Sequence, residues 1–504
     1  MQFIDNFLDK ITMYRLVVYY LLLLLGVATI YGFLGILPYS PYSIVISTLF
    51  LVGISWVTNK IFAYAYDVPA NVESVYITAL ILALIISPIK SVADLPFLFW
   101  AAVLSMATKY ILAIKKKHLF NPAAIAVVLT AFGFNGSASW WVGTEAMLPF
   151  ALLGFVIVRK IRRGDLVYYF FVAALITIFG LSVMQGTNVL TTFKEILFAS
   201  PIFFFAFVML TEPLTTPPTR SLQIMYGMFT GILFAPQFHI GSFYPAPEMA
   251  LVIGNIFSYI VSPKEKFMAK LQEKLEIAPG MMDFIFPLKK KLVFEPGQYM
   301  EWTLPHKHAD SRGNRRYFTI ASSPTENNLR LGIKFYSHGS SYKKAMAAMD
   351  STTSIVGAQL SGDFTLPKDT NTRLVFIGGG IGITPFRSII KYLVDKKEKR
   401  PIILLYANKT YDEIVYTDVF EDARKELGIR TIYTLTNMEQ VPSHWQGRVG
   451  RITTQVIAEE VPDFMERIFY LSGPHAMVEA YDKTLREMGV SEKHIKKDFF
   501  PGLA

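Results

Sequence analysis

The densest glycine run in the chain comprises Gly378, Gly379, Gly380 and Gly382. It follows an apolar segment, 374–377, that is typical of a buried strand, and Thr384 after it begins a predicted helix. Glycines allow backbone N–H groups to approach a phosphate, and a helix N-terminus attracts anions. The spacing departs from G-x-G-x-x-G, so a tight turn without a ligand is the alternative. The run predicts a site for the pyrophosphate of a dinucleotide.

A second anion site is predicted where a cation, an aromatic ring and a hydroxyl stand close together in Arg316, Phe318 and Thr319. In an extended strand, Arg316 and Phe318 share one face and Thr319 points to the other. Further along, the turn 338–342 precedes a predicted helix and offers another N-terminus suited to anions. The alternative is a strand with ordinary surface and core faces, followed by a turn.

Two polar segments, 117–124 and 211–220, interrupt the apolar first half of the chain. Prolines in both fix φ and remove a backbone donor, so helices begin or break there. The side chains of Asn121, Thr211, Glu212 and Thr215 could then bond freed backbone groups or a polar ligand. Two capped loops at a membrane surface are the alternative.

The density of charged residues divides the 504-residue chain into two parts. Residues 1–262 contain 24 charged residues, whereas the remaining 242 residues contain 64. The first part therefore predicts a membrane-embedded region and the second a water-soluble one. The absence of cysteine excludes disulfides, thiolate-bound zinc and cysteine-bound iron–sulfur clusters within this chain, and no metal site is predicted. Since much of the net charge of +10 lies in short loops between apolar runs, no nucleic-acid partner is expected.

About ten apolar runs predict a polytopic α-helical membrane domain. Several have only about 15 residues, fewer than the roughly 20 that a full span needs, so tilted or broken helices are expected. With ten spans, twelve Lys and Arg residues fall on one side and two on the other, which places both termini in the cytoplasm and the chain in the cytoplasmic membrane. The runs are 14–36, 43–58, 74–89, 95–113, 120–134, 145–159, 167–184, 195–210, 222–237 and 247–262.

The second half predicts two further domains after a linker at 263–274. Alternating apolar segments in residues 275–368 predict an antiparallel β-barrel. Strands alternating with helices in residues 369–504 predict an α/β doubly wound domain with a parallel sheet. The predicted barrel strands are 281–286, 290–294, 299–304, 316–321, 329–336 and 353–360; the predicted parallel strands are 373–377, 401–406, 430–434 and 467–471.

Residues 275–504 resemble the ferredoxin–NADP⁺ reductase family, whose members bind FAD in a barrel and a nicotinamide dinucleotide in an α/β domain. Ser472 stands where the family usually has cysteine, and Phe318 where it has tyrosine. The resemblance is carried by Pro296–Tyr299, Arg316–Thr319, Gly339–Ser341, Gly362–Phe364, Ser472–Pro474 and Asp498–Phe500.

This resemblance implies a role for each motif. By this resemblance, Arg316 is expected to pair with the FAD pyrophosphate, Phe318 to stack on the isoalloxazine, and Thr319 to hydrogen-bond near N5. Ser340 and Ser341 would bind phosphate oxygens, and Phe500 would cover the flavin ring. Ser472 and Asp498 would line the nicotinamide pocket and form the catalytic set with Thr319. The remaining implied cofactor contacts are Tyr299, Ser322, Gly339, Gly378, Gly379, Gly380, Gly382, Thr384, Gly473 and Pro474.

The choice between NADPH and NADH stays open. Lys409, after the second parallel strand, could receive a 2′-phosphate, and no acidic residue stands directly at that strand end to bind a 2′-hydroxyl. Lys409 could equally be a solvated loop residue. The sequence leans slightly towards NADPH.

Residues 10–262 resemble a membrane family that contains the B subunit of the sodium-translocating NADH:quinone reductase and the D subunit of the Rnf complex. The matching runs are 120–123 and 211–215. The family attaches flavin through threonine in a Ser-Gly-Ala-Thr run, where this chain has Ala199–Ile202. The resemblance therefore implies a site for non-covalent FMN or riboflavin near Asn121, Thr211, Glu212 and Thr215, or no flavin there.

Three hypotheses follow for the whole chain. The first is a membrane flavoprotein that passes electrons from NAD(P)H through FAD to quinone or another acceptor, such as a partner redox protein. The second is a transmembrane haem reductase, which needs stacked histidine pairs; the apolar half contains only His118 and His239. The third is a reductase tethered to a membrane anchor or transporter. A transporter should have ionisable residues in the middle of the membrane, whereas Glu73, Glu145 and Lys109 lie near span ends.

Overall fold

The chain forms two compact units, Met1–Lys264 and Glu265–Ala504, in a computed structural model. The first unit is helical, and the second combines antiparallel and parallel sheets. The structure describes residues 8, 11–66, 72–114, 117–134, 136–262, 266–288, 290–307, 309–310, 313–336 and 339–498.

Every apolar run of the first unit contains helix, but the helices differ greatly in length. The run 145–159 divides into two short helices, and the run 195–210 breaks at Pro201 and continues into a π-helix. A short antiparallel pair, β1 (Ala113–Ile114) and β2 (Lys117–His118), lies between two of the helices. The helices are Met13–Phe33, Pro41–Ala65, Val72–Ile85, Leu95–Ile111, Pro122–Phe134, Leu148–Leu152, Phe155–Ile161, Gly164–Met184, Val189–Phe198, Ile202–Phe204, Phe205–Met209 (π), Arg220–Phe234 and Pro247–Val261.

Four helices among the described residues are long and apolar enough to cross a membrane. They are Met13–Phe33, Pro41–Ala65, Val92–Ile111 with its leading 3₁₀ turn, and Gly164–Met184. The pair Val189–Phe198 and Ile202–Met209, bent by 58°, would make a fifth if it forms one span. The structure therefore gives fewer full-length spans than the ten predicted. The runs 145–159 and 195–210 are broken, and four other runs form helices of only 13 to 15 residues.

Two glycines allow the helices Arg220–Phe234 and Gly164–Met184 to approach closely. A Cβ on Gly227 would stand 2.4 Å from the carbonyl oxygen of Leu166, and one on Gly231 would stand 2.5 Å from that of Phe170. Small residues four positions apart commonly form such contacts between membrane helices. Any larger residue at either position would separate the two helices.

The first part of the second unit, called here the β lobe, contains two antiparallel sheets. One has the order β3-β9-β6-β7 and the other β4-β5-β8. Leu329, Leu331 and Ile333 alternate into a shared core, as expected for strands with one buried face. The strands are β3 (Phe267–Lys270), β4 (Glu273–Ala278), β5 (Met281–Pro287), β6 (Tyr299–Thr303), β7 (Arg315–Thr319), β8 (Asn328–Lys334) and β9 (Ser354–Ser361).

Two predictions for this lobe were wrong. The described part of segment 290–294 is not a strand, although Leu292 packs into the core. The segment expected as a linker, 263–274, contains β3 and the start of β4. Ala269 and Leu271 are buried at alternate positions of this segment. The lysines and glutamates around them concealed this strand-like alternation in the sequence.

The second part, called here the α/β lobe, has one six-stranded sheet with the order β13-β12-β11-β10-β14-β15. All its strand pairs are parallel, and helices connect its strands, as predicted. The strands are β10 (Leu374–Gly379), β11 (Ile402–Asn408), β12 (Arg430–Leu435), β13 (Arg448–Val449), β14 (Ile468–Ser472) and β15 (Ile495–Asp498); the helices of this unit are Ser341–Ala347, Thr384–Lys396, Thr417–Leu427, Thr454–Glu460 and His475–Glu487.

Candidate functional site

The three residues expected to form the catalytic set meet where the β lobe and the α/β lobe join. Thr319 ends β7, and its hydroxyl donates to the Asp498 carboxylate at 3.1 Å. Asp498 ends β15, directly beside Ser472 at the end of β14. All three side chains are buried. The ends of three strands from two lobes therefore place a carboxyl group and two hydroxyls at one junction.

The Asp498 carboxyl group has an unusual acidity. Burial raises its pKa to about 7, although the hydrogen bond from Thr319 acts in the opposite direction. Near neutral pH the group can therefore hold or release a proton. Such a shift is common at functional sites, because catalysis requires groups that titrate near the working pH.

The predicted dinucleotide-binding run joins β10 to the helix Thr384–Lys396 through a 3₁₀ turn, Gly380–Ile383. Gly380 has φ +52°, and open space lies where its Cβ would stand. At Gly382, a Cβ would stand 2.4 Å from the Cα of Gly473. The backbone of this turn is therefore accessible at one glycine and tightly packed at the other, as a phosphate-binding loop requires.

Arg316 and Phe318 lie near each other against Tyr342. The Arg316 guanidinium stands 5.0 Å from the Tyr342 ring centre, and the rings of Phe318 and Tyr342 are 6.1 Å apart. Arg316 is buried, and its Nη1 donates to the carbonyl oxygen of Arg315 at 2.6 Å. A flavin with a pyrophosphate would need a cation beside its phosphates and an aromatic surface beside its ring, and this arrangement offers both.

The turn expected to bind flavin phosphate makes protein contacts instead. Ser340 caps the following helix by accepting from the Lys343 N–H at 3.3 Å. The Ser341 hydroxyl accepts from the Asp310 N–H at 2.9 Å, and the Asp310 carboxylate accepts from the Ser341 N–H at 2.8 Å. This helix start therefore binds an oxyanion, but the oxyanion is a carboxylate of the protein. Phosphate binding at Ser340 and Ser341 stays a prediction.

The other expected contacts have different surroundings. The Ser322 hydroxyl accepts from the Arg330 N–H at 3.1 Å, which ties it to β8. Lys409 is exposed after β11, where it can reach a ligand in solution. Tyr299 packs edge-on against Tyr317, with the two ring centres 5.7 Å apart. Phe500 lies outside the described residues.

Further expected residues surround the glycine turn. Gly378 pairs with Ser472 across the sheet, and Gly379 packs against the Met477 sulfur. Pro474 precedes the helix His475–Glu487, and the buried Thr384 begins the helix after the turn.

Gly339 lies apart from the glycine turn, in the β lobe. A Cβ on Gly339 would stand 3.3 Å from the carbonyl oxygen of Tyr336 and 3.5 Å from the Cβ of Lys343. Its backbone therefore lies against the start of the helix Ser341–Ala347, next to Ser340.

The two polar segments of the helical unit meet each other, and with two further residues they form what we call the Glu212 cluster: Asn121, Glu212, Thr215, Tyr226 and Asn255. The Asn121 amide donates to the Glu212 carboxylate at 2.9 Å, and the Thr215 hydroxyl contacts the same oxygen at 3.3 Å. Asn255 accepts from the Asn121 backbone N–H at 2.8 Å and donates to the Tyr226 hydroxyl at 3.0 Å. Asn121 thus contacts residues from separate parts of the chain.

The Glu212 cluster contains two residues that the sequence patterns did not indicate, Tyr226 and Asn255. An amide within the apolar run 247–262 was the available signal for Asn255. Thr211 does not join the cluster, because its hydroxyl donates to the carbonyl oxygen of Phe207 at 2.8 Å. In the described part of the chain, no group of three or more His, Asp or Glu side chains is placed to hold a metal ion.

Comparisons with known proteins include one family model, and it matches within the second unit. Residues 376–483 match the family model of the oxidoreductase NAD-binding domain. The chain is 23% identical over 222 residues to a flavohemoprotein of Bacillus cereus, covering 41% of this chain and 53% of the relative. It is 32% identical over 171 residues to the F component of the Na⁺-translocating NADH-quinone reductase of Serratia proteamaculans, covering 32% and 40%.

Two more similarities are to reductases. The chain is 28% identical over 235 residues to NADH-cytochrome b5 reductase 1 of Mortierella alpina, covering 45% of this chain and 77% of the relative. Among solved structures, the cytochrome P450 reductase of Amycolatopsis is 26% identical with a TM-score of 0.41, covering 47% of this chain and 70% of that one. The chain spans about half the length of the flavohemoprotein and less of the quinone reductase component.

The second unit therefore resembles a ferredoxin–NADP⁺ reductase-like FAD/NAD module. Residues 376–483 match an NAD-binding domain, and the relatives include an NADH-dependent reductase.

Proposed function

We propose that this protein is a membrane flavoprotein oxidoreductase that passes electrons from cytoplasmic NAD(P)H through FAD into its helical unit. The acceptor would be quinone, a partner redox protein or an acceptor across the membrane. One observation carries the proposal: a single chain joins a reductase module to an apolar helical unit that buries a polar cluster. A membrane electron carrier needs a local source of electrons, and this fusion supplies it.

In the reductase module, residues 275–368 would bind FAD and residues 369–504 the dinucleotide. FAD, when bound, supplies hydride acceptance and one-electron transfer. Arg316 would neutralise the pyrophosphate charge, and Phe318 would support the ring system. Thr319, Ser472 and Asp498 would orient the reacting rings and exclude water, with Asp498 able to hold or release a proton at its carboxylate.

In the helical unit, residues 1–262 would span the cytoplasmic membrane several times, with both termini in the cytoplasm. The Glu212 cluster would lie beside a site for non-covalent FMN, riboflavin or quinone. Covalent attachment is disfavoured, because Ile202 stands where the resembled family has its modified threonine, and Ile202 is buried.

The decisive experiment is a flavin assay of the detergent-purified chain, with acid precipitation to separate released from covalent flavin. Two released flavins per chain would support a relay into the helical unit. One released FAD, together with quinone reduction driven by NAD(P)H in liposomes, would support a direct quinone site. Absence of any flavin reduction by NADH or NADPH would refute the reductase proposal.

A reductase tethered to a non-redox membrane unit is the second candidate. It is favoured by the mutual hydrogen bonds of the Glu212 cluster, which satisfy those polar groups within the protein. The tether predicts that FAD is reduced by NAD(P)H while no quinone or membrane acceptor is reduced.

A further inference from the structure

A hydrogen-bonded network, buried except at the partly exposed Glu326, connects the two lobes of the reductase module close to the dinucleotide loop. It comprises Asp283 and Glu326 of the β lobe with Arg387 and Tyr416 of the α/β lobe, and we call it the inter-lobe clamp. The Tyr416 hydroxyl donates to Asp283 Oδ1 at 2.5 Å. Arg387 donates from two nitrogens to the two Glu326 oxygens at 2.8 and 3.0 Å. Two charged contacts therefore bridge the lobes.

Several independent observations indicate that the structure enforces the hydrogen bond between Tyr416 and Asp283. Asp283 is fully buried, and its second oxygen accepts from Arg330 at 2.6 Å. Tyr416 has φ +60°, a left-handed conformation that tyrosine rarely adopts. Burial and the Asp283 carboxylate raise the pKa of Tyr416, so the hydroxyl remains a donor. Such strain persists only where surrounding contacts enforce it.

The clamp lies immediately next to the dinucleotide loop. Arg387 belongs to the helix that begins at Thr384, directly after the glycine turn, and its guanidinium stands 5.3 Å from the Tyr416 ring centre. Gly332 of β8 lies against Tyr416 and Thr384. A Cβ there would stand 2.6 Å from the Tyr416 hydroxyl oxygen and 2.8 Å from Thr384 Cγ2.

We propose that Asp283–Tyr416 and Glu326–Arg387 act as positioning pairs that set the dinucleotide loop against the flavin-binding lobe. The inference rests on the proposed hydride transfer from NAD(P)H to FAD. None of the four residues needs to touch the reacting atoms. Their role is to fix two separately folded surfaces in one alignment, since a misplacement of about 1 Å can cost about 100-fold in rate.

The test compares Tyr416→Phe with Tyr433→Phe in the full chain. Both variants lose one phenolic hydroxyl from the same lobe, but Tyr433 lies on β12 and is not a member of the clamp. We expect Tyr416→Phe to accelerate amide hydrogen exchange about tenfold in segments 328–334 and 378–388, because a hydrogen bond to a charged group is lost. Stopped-flow reduction of the flavin should slow about tenfold, while the dissociation constant of the dinucleotide changes less than about twofold.

Equal exchange and equal flavin reduction in the two variants would overturn the proposal. A uniform rise in exchange across the lobe, with an unchanged reduction rate, would also overturn it by showing a purely stabilising role. If Tyr416→Phe does not fold, Arg387→Lys keeps the charge, removes the two-point contact and should give the same local pattern. Failure of the wild-type flavin to accept electrons from NADH or NADPH would refute the proposed function instead, and the exchange data would still test the clamp.

Discussion

Replacing Asp498 with asparagine should change how the stability of this protein depends on pH. The pKa of Asp498 rises from 3.8 to about 7 in the folded protein. A carboxyl group with a raised folded pKa contributes its full stability below the unfolded pKa and loses it as pH rises through the folded pKa. The roughly three units correspond to about 4 kcal/mol, at 1.36 kcal/mol per unit. Asparagine keeps an oxygen that can accept from Thr319 and removes the ionisation.

The assay is thermal unfolding of the detergent-purified full chain between pH 4 and pH 8. The difference in Tm between Asp498→Asn and wild type should be near zero at pH 4 and should grow through pH 7. At pH 8 the variant should unfold roughly 8–16 °C higher, because 1 kcal/mol shifts Tm by about 2–4 °C in a unit of this size. Asp422→Asn, at an exposed position of the same lobe, controls for loss of a carboxylate. A Tm difference that stays constant with pH would refute the reasoning.

Three further predictions concern the dinucleotide and the helical unit. If Lys409 contacts a 2′-phosphate, Lys409→Ala should lower the NADPH-to-NADH ratio of kcat/KM by roughly fivefold, because an exposed ion pair contributes up to about 1 kcal/mol. An unchanged ratio would mean that Lys409 is only a solvated loop residue. Gly382→Ala places a methyl group 2.4 Å from the backbone Cα of Gly473. The affinity for the dinucleotide, measured by titration, should therefore fall at least about tenfold while FAD content is retained. Normal affinity would contradict the predicted close packing. Glu212→Gln should leave FAD reduction by NAD(P)H unchanged but lower quinone reduction in liposomes about tenfold or more, because it removes the charge bound by Asn121; unaltered quinone reduction would favour the tethered reductase.

The sequence alone determined the elements whose signal is local. The glycine run after an apolar segment predicted the β10 turn and its helix, and the parallel strands followed from apolar segments separated by amphipathic helices. Arg316 and Phe318 are two positions apart in β7, and their approach to one partner, Tyr342, agrees with a shared strand face. These features depend on backbone periodicity and steric preference, which a few neighbouring residues fix.

Local patterns were misleading where charge obscured periodicity or where an apolar stretch could pack without pairing. Segment 290–294 places Leu292 in the core, yet the described residues there form no strand. The lysines around Ala269 and Leu271 made two strands resemble a linker. Burial of a side chain does not require a ladder partner, and a ladder partner does not require an apolar sequence.

Only the tertiary structure decided which distant groups meet. Thr319 and Asp498 are 179 positions apart, Tyr416 and Asp283 are 133 apart, and Asn121 and Glu212 are 91 apart. Each contact depends on how strand ends, lobes or helix breaks are arranged, and sequence spacing carries no information on that arrangement. The same arrangement buries Asp498 and so raises its pKa, because desolvation follows from packing and not from residue type. The sequence therefore determined which chemical groups the chain contains, whereas the tertiary structure decided which of them share a site and in what state of protonation.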